Sequence, residues 1–476
     1  MSSSTHSSSS SSSSPSSSPS STSSPDDRDN AAPDIPGPST TTRRHHPFEG
    51  PSSSSSSRRR FMNEALPEPV VEILANQVAI DAAHYNGRLA AAPALAIIFQ
   101  VCSTWREVSR SDHLWQRLTR TIWRRTYRLR DTWHHEFIYW HQTARNFATG
   151  LHSFTVPHFD PSAVSDHRHT LICRCLTLSD RHLACGFADG TVRLFDLETW
   201  AHVSTFQSIR GHRFGPFSRS VSGIIITNNS VVTFARLDGD IYVAVINEPG
   251  PRRAISGDVV NNGVLVEFAG SGRWWVGLFA GLPGRAFQIW DAQTEQLVSV
   301  GGTLTDPDTV MGWHMLTELV EPVGRIRVTE REFVVACTSS RLVCFNLMNP
   351  EVLLRDVGSA TGFVVTSLDV SHEAFVVVER NGVGTVRRTG TFERLSRFRV
   401  RGSWMRGLLG CMNLGYVITY SGGGGGMRVW DIEHPVGRLC TTMAVRLGDG
   451  NSMVANQRHV AISWNDTSIQ LFDFGV

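Results

Sequence analysis

The chain has 476 residues, 41% of them hydrophobic, and a formal net charge of +2. That is room for two or three folded units with a sizeable core, without an overall pull toward nucleic acid or a membrane surface. All 45 basic residues are arginine, since the sequence contains no lysine, and this excludes P-loop, protein-kinase and pyridoxal-phosphate chemistry, each of which depends on a lysine amine. Codon bias explains the missing lysine as well as function does. No apolar run approaches the ~18 residues of a membrane-spanning helix, and there is no secretory leader pattern. The eight cysteines form no CxxC pair and no Cys/His spacing that suits zinc. The expectation is a protein of the reducing cytosol or nucleus without a metal or cofactor.

Residues 1–62 are low in complexity, with 18 serines in the first 24 positions, and read as a disordered tail. The short basic clusters Arg43-Arg44 and Arg58 to Arg60 fit nuclear-import signals or plain solvated charge. A small helical module is expected over 63–118. Pro67 and Pro69 suit a first helical turn, and Val70, Leu74 and Val78 follow at helical spacing. A second helix is predicted from Pro93, with Leu95, Ile98, Phe99, Cys102 and Trp105 along one face. Ser111 can cap a third carrying Leu114, Trp115 and Leu118. Over 119–150 the stripe Ile122, Thr126, Leu129, Trp133, Phe137 and Trp140 predicts one long connector helix.

From 151 to 476 the period changes from 3.6 to 2. Short runs of Val, Ile, Phe and Thr are broken by Gly, Asn and Asp, which indicates an all-β unit. Related segments end at Phe195, Ala244, Trp290, Phe345, Thr389, Trp430 and Phe472, a seven-fold repeat with the length of WD-type β-propeller blades. The last copy stops at its third strand, so HSFTVPHF (152–159) is expected to complete it and close the ring.

Enzyme signatures fail. His135-Glu136 begins HEFIY, with Tyr139 where a zinc protease needs its second histidine, and Gly422 to Gly426 lead into a strand rather than a helix. The expectation is a non-catalytic protein. RTIWRRTYRLR (120–130) has the arginine and aromatic content of a nucleic-acid contact, but reads more simply as a connector with arginines on its wet face. Loops rich in Arg and Trp are candidates for holding a protein substrate: Arg213, Arg219, Arg273, Trp274, Arg285, Trp313, His314, Trp404 and Arg406. Each aromatic there could equally be blade core.

LPEPVVEIL followed by VCSTWREVSRSDHLW resembles the F-box family, whose helical motif docks onto the Skp adaptor of SCF-type ubiquitin ligases. The matching positions are Leu66, Pro67, Ile73, Leu74, Val101, Cys102, Trp105, Leu114 and Trp115, with Val70 on the same helix. The intervening 23-residue segment QVAIDAAHYNGRLAAAPALAIIF is longer than an ordinary F-box allows. Longer stretches, among them GRWWVGLFAGLPGRAFQIWD and GGTLTDPDTVMGWHMLTEL, are similar to a plant family of F-box proteins with degenerate WD repeats. That resemblance implies a nuclear regulator of flower and organ development, with a Skp-type adaptor and cullin as partners and a nuclear protein as substrate. The alternative it leaves open is a transcriptional regulator that contacts DNA, chromatin or cofactors without assembling a ligase.

Overall fold

The computed structural model describes residues 66–157, 172–207, 215–228, 230–302, 324–338, 341–358, 365–400, 408–422, 426–445 and 448–476. The Ser-rich segment lies outside them, as do Arg213, Trp313, His314, Trp404 and Arg406. The β region is a propeller of seven four-stranded antiparallel sheets. Blades 1 to 6 span 173–206, 221–255, 264–301, 325–358, 365–399 and 409–443. Blade 7 takes three strands from 450–473 and its outermost strand, Ser153–Thr155, from the start of the β region, with Phe154 opposite Phe472. Closing the ring with both ends of the β region is the outcome the truncated last repeat foretold. Six of the seven repeat markers fall inside third strands, and Thr389 sits one residue past the end of its own.

Second and third strands are buried on both faces because each sheet packs between two others. Packing is tight enough that a Cβ at Gly223 would run into the Phe268 carbonyl of the next blade. The free edge of each innermost strand poses the usual problem of unpaired backbone groups. Side chains from the neighbouring blade meet several of these groups. Glu267 accepts from Ile326 N at 2.6 Å, Asp369 from Met412 N at 2.9 Å, and Ser367 Oγ donates to Gly410 O at 2.7 Å.

Five helices precede the ring: α1 (Glu68–Asn86), α2 (Ala91–Phe99), α3 (Ser103–Val108), α4 (Asp112–Ile122) and α5 (Trp133–Thr149). Ser111 caps α4 by accepting from Leu114 N at 3.3 Å. Two expectations need correction. The second predicted helix is broken at 100–102, where Cys102 turns extended and opens α3. The connector is not one helix either: its start, 119–122, is the end of α4, 123–132 is irregular with Arg124 at φ 56°, and α5 follows as a separate helix. Glu136 explains the break. Its fully buried carboxylate accepts from Leu129 N and Arg130 N, both at 2.9 Å, and from Trp140 Nε1 at 2.7 Å, giving the non-helical backbone partners that a helix would otherwise have supplied.

In blades 1 to 6 the first-to-second and third-to-fourth strand turns lie on one face of the ring and the second-to-third turns on the opposite face. The helices sit on the first of these faces. Arg88 pairs with Glu433, and Arg125 donates to Asp180 at 2.9 Å with its guanidinium 3.9 Å above the Trp140 ring. Asn146 Nδ2 donates to the Phe474 and Val476 carbonyls, both at 2.9 Å, and Phe147 stacks on Phe474 at 3.9 Å. The face of second-to-third turns and blade-to-blade connections is opposite the helices.

Near this junction, burial pushes the His459 imidazole down to about 4, against the pull of Asp473 at 3.7 Å. The folded chain therefore refuses a proton that the unfolded chain accepts below its ordinary value of 6.5. This contribution to stability is complete above that value and is lost as pH falls toward about 4, by up to about 3 kcal/mol. Denaturant titrations across that range should show a shallower pH slope for His459→Gln than for the parent chain; identical slopes would disprove the assignment.

Candidate functional site

Helix α1 carries apolar side chains on two sides. Val71, Ala75 and Ala79, at i, i+4 and i+8, face α2 and α4 and are fully buried. Val70, Ile73, Leu74 and the preceding Leu66 are 46%, 60%, 39% and 44% exposed. Of the residues at helical spacing read from the sequence, Val70 and Leu74 are exposed, whereas Val78 packs against the module core. Large aliphatic groups left in water on an otherwise packed module mark an interaction surface. Val101 and Cys102, in the break before α3, are also exposed. So is Ile97 at 69%, which sequence reasoning missed because α2 is apolar all round and its inner face cannot be read from period alone.

The remaining adaptor candidates sit elsewhere. Pro67 starts α1, and Trp105 is half-buried against the module core. Leu114 and Trp115 are buried. The Trp115 ring lies 5.1 Å from Phe137, and its Nε1 donates to Ser109 O at 2.6 Å. These two hold the module together and do not present a surface. Most arginines of the 120–130 stretch are also committed within the fold. Besides Arg125, Arg120 lies 5.5 Å from the Trp133 ring, Arg130 lies 4.1 Å from the Tyr139 ring, and Arg128 pairs with Asp112 at 3.8 Å.

Of the substrate-binding candidates, Arg219 and Arg285 lie on the face opposite the helices. Arg285 donates to Asn262 Oδ1 at 2.9 Å. Arg273 is in a first-to-second turn and so on the helix-bearing face, 4.8 Å from the Trp274 ring. Trp274 itself is buried in the core between blades 3 and 4, which removes it from any contact surface. No group of His, Cys, Asp and Glu that could hold a metal occurs among the described residues. All eight cysteines are free, and burial pushes the Cys337 and Cys344 thiols up to about 12.

Over 422 residues the chain is 50% identical to the Arabidopsis thaliana transcriptional regulator STERILE APETALA, covering 87% of this chain and 93% of that one. It belongs to the STERILE APETALA family. The match extends well beyond the propeller, so in this family the helical module and the ring form one inherited unit. No protein-family model matches the chain. Among solved structures it is similar to U3-55K, with 12% identity, a TM-score of 0.49, and coverage of 67% of this chain and 98% of that one. It is also similar to the RRP9 WD40 repeats, with 11% identity, a TM-score of 0.48, and coverage of 67% and 97%.

Proposed function

We propose that this member of the STERILE APETALA family is the substrate-receptor subunit of an SCF-type ubiquitin ligase acting in the nucleus. The carrying observation is the apolar stripe of α1, exposed on a module that is fixed to one face of the propeller, opposite the face of the second-to-third turns. On this reading Leu66, Val70, Ile73, Leu74 and Val101 enter a Skp-type adaptor, with a cullin beyond it. Arg219 and Arg285 help hold a protein substrate, and catalysis belongs to the ubiquitin-charged enzyme that the assembly brings near. The test is co-purification of a plant Skp adaptor and cullin with the full chain. Absence of both from a chain that is folded and bound to its regulatory targets would leave a transcriptional regulator acting by other contacts, the role carried in the name of its Arabidopsis thaliana relative.

The absence of lysine has a physical meaning under this proposal, because a receptor held beside a ubiquitin donor has no side-chain amine to be modified by mistake. A surface position such as Arg110→Lys, 76% exposed on the helical module, should acquire ubiquitin in a reconstituted reaction. The parent chain should stay unmodified on side chains; heavy side-chain modification of it would end the protective reading.

A further inference from the structure

We infer that the cleft between the rims of blades 4 and 5 binds an extended acidic segment of another protein. The walls are set by strand register. In the outermost strand of blade 4, Asn349–Gly358, Arg355 lies opposite Cys344 and Val357 opposite Leu342. Cys344 Sγ donates to Thr389 O of blade 5, and Leu342 packs with Phe375 of blade 5, so Arg355 and Val357 share the side that looks at that blade. In the outermost strand of blade 5, Arg394–Arg399, Phe398 stacks on Trp430 of blade 6 at 4.9 Å. The alternating residues Arg397 and Arg399 therefore look back at blade 4. Arg387 lies opposite both Phe375 and Arg394, which puts these two arginines on the same wall.

Arg355, Arg394, Arg397 and Arg399 are exposed and make no ion pair among the described residues. Nearby acids are engaged: Asp356 with Arg341 at 2.5 Å, Glu393 with Arg388 at 3.6 Å, and Glu379 with Asn381 at 2.9 Å. Glu351 sits in the bulged start of its strand, away from Arg355. A chain with almost balanced total charge thus turns four arginines that have no ion pair among the described residues toward the space between two blades.

Arg397 and Arg399 are two residues apart on one strand, so their side chains rise about 6.7 Å apart. An extended peptide with Asp or Glu at every second position has the same repeat. Pairing through the backbone is closed at Arg397, whose N–H and carbonyl are taken by Pro435 and Gly437 of blade 6, so recognition falls to side chains. Nucleic acid fits less well. The described walls expose aliphatic Val357 and no aromatic ring on which a base could stack.

The probe is a labelled ten-residue peptide of alternating Glu and Thr, added to the full chain at low salt and read by fluorescence anisotropy. Arg397→Glu with Arg399→Glu should weaken binding about 30-fold, and the milder Arg397→Gln with Arg399→Gln, which preserves folding more safely, by about 10-fold. Reversing Arg252 and Arg253 on the rim of blade 2 should leave binding unchanged. The inference is overturned if the parent chain fails to bind, if binding ignores both double substitutions, or if a ten-nucleotide single strand binds more tightly with the same dependence on Arg397 and Arg399. None of these readouts needs the adaptor, so failure here is separable from failure of the receptor reading.

Discussion

Ile73→Glu is expected to reduce adaptor binding by two to three orders of magnitude, corresponding to about 3 to 4 kcal/mol, while leaving the thermal midpoint of the chain unchanged. Ile73 is 60% exposed and sits between Val70 and Leu74 on the outer face of α1, so the free chain loses no packing when it is replaced. Under the receptor proposal the same position enters a dry interface, where an unpaired carboxylate is costly. Leu114→Ala provides the contrast. Leu114 is fully buried, and its truncation should destabilise the module by about 2 to 5 kcal/mol, so that any loss of binding accompanies loss of fold. Calorimetric titration of the adaptor alongside thermal unfolding separates the two cases. If Ile73→Glu binds as the parent does, the adaptor does not use this face.

Phe147→Ala should cost about 3 to 5 kcal/mol, the largest stability loss expected from one residue at the junction. Its ring is 1% exposed, stacked on Phe474 at 3.9 Å and near Tyr416 at 5.6 Å, and it belongs to the core shared by blades 6 and 7. A cavity there weakens the closing blade and the seat of α5 together. Asn146→Ala removes the donor to two carbonyls at the chain end and should cost less, about 1 to 3 kcal/mol. Denaturant unfolding measures both, and faster proteolysis within 123–132 in Phe147→Ala would report the loosened junction. Retention of full stability in Phe147→Ala would show that α5 is held by its polar contacts instead.

Much of this architecture was legible in the residues because it rests on local periodicity. The seven third strands were marked by recurring aromatic or aliphatic ends such as Phe195, Trp290 and Trp430, and the missing outer strand pointed to Ser153–Thr155. The Ser111 cap was readable for the same reason, since capping involves neighbours three residues apart. The failures share the opposite cause. The stripe from Ile122 to Trp140 has helical spacing, yet Glu136 supplies an alternative set of hydrogen bonds that a one-dimensional pattern does not reveal. Trp274 and Arg273 are adjacent in sequence, but one belongs to the core and the other to the helix-bearing face.

Hydrophobic period and repeat length sufficed to read a small helical module followed by seven repeats closed by both ends of the β region, because neither requires knowing what packs where. Which side of α1 forms the module's own core, Val71, Ala75 and Ala79, and which side, Val70, Ile73 and Leu74, remains exposed depended on the packing of α2 and α4 against it. The tertiary structure alone turned Arg355 of blade 4 and Arg394, Arg397 and Arg399 of blade 5 toward the space between those two blades. A side chain's availability depends on neighbours distant in sequence, and burial of one face against another is settled only when the whole ring has closed.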